Sequence, residues 1–112
     1  MQKNETSLQS FRQRVNDWAT KINVKPAQIR VQKMTRKWAS CSTAGWVTFA
    51  DDLINESKNF QDYVIVHELL HLRLPNHGKL FKSLLTAYVP SSKHFQCLHN
   101  GDGRSILKRT VI

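Results

Sequence analysis

Residues 63 to 77 read Tyr63-Val64-Ile65-Val66-His67-Glu68-Leu69-Leu70-His71-Leu72-Arg73-Leu74-Pro75-Asn76-His77, and the reading of this stretch decides the fold around it. An α-helix turns about 100° per residue, so His67 and His71 fall about 40° apart, one turn above the other, and two imidazoles can grip one ion. Glu68 lies about 100° round from His67 and about 60° from His71, beside such an ion rather than on it. A carboxylate there reaches a water held by the ion, which makes Glu68 a candidate base. Pro75 cannot continue a helix, so the chain turns through Leu74-Pro75-Asn76 and can return His77 to the same point. Three nitrogen ligands with a fourth position left for water are the arrangement of catalytic zinc, whereas structural zinc is usually closed by four protein ligands, often cysteine.

The flanking residues support this reading. Wrapped on a helix from about Phe60 to Leu74, the side chains are apolar almost all round, and only Asp62 and Arg73 share a plausible solvent side. The helix is therefore expected to be buried. Two histidines and a glutamate in such a helix are costly without partners, and a divalent cation satisfies them together. The plainer alternative is a pair of hydrogen-bonded core histidines beside an incidental glutamate.

Working outward, 112 residues suit one domain, residues 1–112, with room for one modest core. The first residues lack an apolar signal core and no stretch reaches the length of a membrane span, which leads us to expect a cytoplasmic protein with no membrane partner. Cys41 and Cys97 fit that compartment as free thiols, although as a pair they could also bond. Seventeen Lys and Arg against eight Asp and Glu give a net charge of +9. Such a charge favours acidic partners, nucleic acid among them, but equally describes a generally basic, soluble surface. The oligomeric state is not legible.

From Thr6 to Ile22, Leu8, Phe11, Val15, Trp18 and Ile22 recur at helical spacing, with Thr6 or Ser7 available as cap. Residues 29–34 alternate as a strand with one buried face. Trp38 to Cys41 is read as part of a loop, and Gly45 to Ala50, rich in aromatic and β-branched residues, as a second strand antiparallel to the first across a short loop. An exposed edge of this sheet could take an extended peptide by strand addition. Asp51 and Asp52 suit the cap of a short helical turn. After Gly78, Leu80, Phe81, Leu84, Leu85 and Tyr88 repeat at helical intervals until Pro90. Residues 91–99 suggest a last short helix, residues 100–103 a turn, and residues 106–112 a strand or loose end. His94, Cys97 and His99 match no well-defined metal spacing. Trp38 and Trp46 could stack on bases but are more readily core. The fold class is α+β: a minimal zincin-like domain with a small antiparallel sheet and a buried metal-binding helix.

Three segments together, Arg36-Lys37-Trp38-Ala39-Ser40-Cys41, Tyr63 to His71 and Asn76-His77-Gly78-Lys79-Leu80-Phe81, resemble the YgjP-like metallopeptidase family, a small zincin group, over residues 36 to 90. The first motif of that family usually reads Arg-Trp-Gly-Ser-Cys and the last Asn-His-Ser-x-x-Phe-Trp, so Ala39, Gly78 and Lys82 depart from it. The resemblance implies zinc on His67, His71 and His77, with Glu68 as catalytic base. The spacing is also similar to that of metzincins, but those need a glycine where Leu74 stands, and no methionine follows to make their turn.

The expectation that follows is hydrolysis of a peptide bond in a peptide or protein substrate, with Glu68 doing the proton work. Tyr88, His94 and Arg36 could assist the oxyanion by chemistry alone. Competing readings are a basic domain associated with nucleic acid, as a SprT-like protease on DNA-bound protein or a non-enzymatic zinc-stabilised binder, and phosphoester hydrolysis at the same ion. The last is disfavoured because no glycine-rich phosphate loop accompanies the motif.

Overall fold

Three helices and a small sheet share one core in the structure, a computed structural model that describes residues 2–92 and 110–111, with side chains from Ser7 to Ser92. Helix α1 runs Gln2–Ile22 and buries Phe11, Val15, Ala19 and Ile22, the stripe expected from its spacing. It begins four residues before Thr6, because Gln, Lys and Glu are good helix formers and nothing there breaks the helix. Thr6 and Ser7 are thus inside the helix rather than capping it. Its end is set by Asn23, whose φ of 67° is left-handed, a conformation that asparagine tolerates better than most residues. The Val24 N–H then donates to the Ala19 carbonyl at 2.9 Å, closing the helix end.

Strand β1 spans Gln28–Gln32, β2 Lys37–Cys41 and β3 Trp46–Ala50. The sheet order is β1-β3-β2-β4, where β4 is the two-residue strand Thr110–Val111. Here the structure corrects the sequence reading in two ways. Trp38 to Cys41 was expected to be loop, yet residues 37–41 form a strand antiparallel to β3, with Ala39 opposite Phe49 and Cys41 opposite Val47. Consequently β1 and β3 are not an antiparallel hairpin: they are parallel neighbours, Ile29 beside Val47 and Val31 beside Phe49, and the sheet is mixed. The true hairpin is β2–β3, turned by residues 42–45, where Gly45 takes a φ of 89° that residues with a Cβ rarely adopt. Thr110 and Val111 pair in parallel with Lys37 and Ala39 on the far side of β2.

A 3-10 turn, Asp51–Asn55, holds both aspartates in its first turn without a side-chain cap. Helix α2, Lys58–Leu70, starts at Ser57, whose hydroxyl accepts from the Phe60 N–H at 3.2 Å, a side-chain cap of the usual kind. It ends at Leu70, four residues short of expectation. His71, at its C-terminal cap, still has helical geometry, and Leu72, Arg73 and Leu74 close in tight turns before Pro75. As the unbroken run of apolar residues requires, the helix is buried: Val64, Ile65, Val66 and Leu69 are all fully enclosed. Asp62 was expected to face solvent. It instead ties α2 to α1, accepting from Arg14 at 2.8 Å and from the Trp18 indole at 2.9 Å.

Helix α3, Lys79–Tyr88, follows Gly78 and buries Phe81 and Leu85. Trp38 is core, edge-on to Phe60 at 5.3 Å. Trp46 is not: it is 43% exposed, with Arg30 over its ring at 5.2 Å. Among the described residues no helix is long and apolar enough to cross a membrane. The expected helix at 91–99 and turn at 100–103 lie outside the description, save Ser91 and Ser92, as does all of residues 106–112 except β4.

Candidate metal centre

The last two turns of α2 and the turn that follows place four side chains at one point. His67, one turn before the end of the helix, is buried; His71 is half-buried at the helix end; His77 is exposed at the far side of the Pro75 turn. One nitrogen from each ring can be chosen so that all three lie within 4.8 Å of one another. The structure therefore brings together the three imidazoles that the sequence singles out. The Nε2 atoms of His71 and His77 are 2.9 Å apart, a distance at which one ring must donate its proton and the other accept. Two nitrogens bonded to a tetrahedral zinc at about 2.0–2.1 Å would stand about 3.3 Å apart. The His71–His77 pair therefore differs from that spacing by only tenths of an ångström.

The His71 ring is oriented from behind. Its Nδ1 lies 3.3 Å from the Leu74 carbonyl, and a proton donated there leaves Nε2 as a lone pair, the form a metal takes. That carbonyl is available because the chain turns just before Pro75. The three rings also share a floor, the Phe81 ring, with centroids 5.1 Å from His67 and 4.9 Å from both His71 and His77.

Glu68 is fully buried, and neither carboxyl oxygen has a hydrogen-bond partner among the described residues. Burial pushes its carboxyl up to about 8, with the Lys37 ammonium pulling the other way. A buried carboxyl without hydrogen bonds is costly to ionise. A neighbouring dication reverses that balance by favouring the carboxylate. The residues present therefore fit a metal: three nitrogens within 4.8 Å of one another, one of them aligned through its rear nitrogen, and a buried acid next to His67 in the chain whose isolation an ion would relieve.

Around Glu68 the structure collects groups to which sequence reasoning gave no such place. Lys37 and Cys41 stand at the two ends of β2. Both Lys37 and Cys41 interact electrostatically with Glu68. Burial raises the Cys41 thiol, and the Glu68 charge raises it further; Cys41 is a free thiol, while Cys97 lies outside the described residues. Tyr63, one turn before His67 and 5.9 Å from it between centroids, is pushed up to about 12, first by burial and then by Glu68. The signal for Tyr63 was its place four residues before His67, hidden by reading it as one more apolar position. Of the residues considered for an oxyanion, Tyr88 packs edge-on to Trp18 at 6.1 Å, and His94 lies outside the described residues, as do Cys97 and His99.

Residues 3–97 match the sequence model of the YgjP-like family, metallopeptidase domain, a longer span than the motifs at 36 to 90 carry. No curated protein matches the sequence. Among solved structures, the chain is similar to the metallopeptidase zymogen jannalysin of Methanocaldococcus jannaschii. That likeness has a TM-score of 0.67 at 21% identity, over 80% of this chain and 94% of that one. It is similar also to the metallopeptidase zymogen abylysin of Pyrococcus abyssi, with a TM-score of 0.68 at 14% identity, over 91% of this chain and 99% of that one. At these identities the likeness shows a shared fold.

Proposed function

This chain belongs to the YgjP-like metallopeptidase family, and from that footing we propose that it cleaves peptide bonds, with zinc on His67, His71 and His77 and Glu68 as base. Membership makes it a metallohydrolase; the choice of zinc, of peptide substrate and of these four residues is our reading. The observation that carries it is the convergence of three imidazole nitrogens within 4.8 Å of one another, next to a buried Glu68 whose carboxyl oxygens have no hydrogen-bond partner among the described residues. Residues 1–112 would act as one domain, in the cytosol that their cysteine usage suits.

Zinc held there would supply Lewis acidity, lowering the pKa of a water towards about 7 and polarising the scissile carbonyl. Glu68 takes the proton of the attacking water on a carboxylate oxygen and delivers it to the departing amine. Its apolar burial keeps bulk water from competing for that proton and holds its proton affinity high, which suits the second half of the task. His71, aligned by the Leu74 carbonyl, and His67, held in the packed helix, fix the direction of approach. An extended substrate must enter from the side of His77, the exposed member of the three.

The test begins with elemental analysis, which should give one zinc per chain. An assay on an unfolded protein substrate should then show cleavage that stops with chelator and returns with zinc. Cleavage indifferent to chelator, or a purified protein that binds no metal, would remove the proposal.

A further inference from the structure

We infer that Phe81 is a positioning residue of the metal centre, the template against which all three imidazoles are set; this deepens the reading above and rests on it. Phe81 is 2% exposed, and its ring stands edge-on to His67 at 77°, edge-on to His77 at 68° and tilted at 35° to His71. The ring therefore constrains each imidazole in a different plane. Phe81 belongs to α3, and its burial with Leu85 docks that helix against α2. The same contact sets where His77, four residues earlier, can lie.

The inference separates the ring of Phe81 from its bulk. Zinc affinity should be measured by competition with a chromophoric chelator, and site geometry by the visible spectrum of the cobalt-loaded protein, for wild type, Phe81→Leu, Phe81→Met and Leu85→Ala. Methionine keeps most of the volume without the ring, so it remains informative if the leucine variant folds poorly. Leu85, also buried on α3 one turn on, controls for lost core packing. Both Phe81 variants should bind zinc about 10–100-fold more weakly, with shifted or weakened cobalt bands, as partners of metal ligands usually do. Leu85→Ala should lose thermal stability yet keep wild-type affinity and spectrum. Phe81 variants that match wild type in both readouts overturn the inference, as does a Leu85→Ala protein that loses as much affinity. Wild-type protein that takes up no metal overturns the metal centre itself, whereas metal-binding wild type with indifferent Phe81 variants removes only the role of Phe81.

Discussion

The two halves of the candidate centre are built differently. His67 and Glu68 stand on a helix packed on every side, and their positions are fixed by the fold whether or not an ion is present. His71 and His77 stand at and beyond the helix end, half-buried and exposed, and their positions depend on the Pro75 turn and on Phe81. The buried half thus has little freedom and carries an energetic cost, while the turn half has freedom and little cost. A centre made this way would keep Glu68 in register while the exposed His77 adjusts to an ion.

The difference can be broken or sharpened by experiment. The largest effect should come from Glu68→Gln, which leaves the three nitrogens intact. Hydrolysis should fall by a factor on the order of 10²–10⁴ while bound zinc stays at wild-type stoichiometry, read by peptidase assay beside elemental analysis. Activity within a few fold of wild type would relieve Glu68 of the role.

The same substitution tests the cost of burial in metal-free protein. A carboxyl raised from 4.5 to about 8 in the fold favours its protonated form there. Its contribution to stability is whole below pH about 4.5 and is lost as pH rises through about 8. At about 1.4 kcal/mol per unit, wild type should lose up to about 4 kcal/mol relative to Glu68→Gln between pH 5 and 8. Urea denaturation in chelator at the two pH values measures this, and parallel curves for the two proteins would contradict it.

His67→Ala and His77→Ala should both lose tight metal binding, yet part company without metal. Removing the buried ring between Tyr63 and Phe81 should cost the metal-free fold about 2–3 kcal/mol. Removing the exposed ring should cost within about 0.5 kcal/mol. Equal losses would erase the distinction between the halves. The smallest effect belongs to Pro75→Ala, which loosens the turn that returns His77. Zinc affinity should fall about 2–5-fold, from an unfolded-state and loop entropy of about 0.4–1 kcal/mol, with hydrolysis by the loaded enzyme unchanged.

What could be read from the sequence divides along similar lines. The helices announced themselves, because Phe11, Val15 and Ile22, or Phe81 and Leu85, recur at a spacing that only a helix satisfies. The convergence of His67, His71 and His77 was legible for the same reason, helped by a proline that forces the chain back. Strand β2 was missed because Trp38 and Ala39, adjacent in sequence, are both buried, which breaks the alternation that marks a strand; Ala39, Ser40 and Cys41 also lack β-branching. Missing β2 then reversed the apparent relation of β1 to β3, since strand direction depends on what intervenes. Phe81 was legible as one position of a helical repeat, but its contact with three imidazoles arises only when α3 lies on α2, a relation no local pattern encodes.

The sheet order has a kinetic consequence. β3 is the third strand along the chain but lies between the first two, so β1 has no neighbour until β3 arrives to fill the gap. The local β2–β3 hairpin, closed through residues 42–45, can form on its own timescale, whereas pairing β1 with β3 requires closing a longer loop. Folding should therefore nucleate at the hairpin and add β1 later, so that the strand beside Glu68 belongs to the early part of the molecule and the amino-terminal strand to the late part.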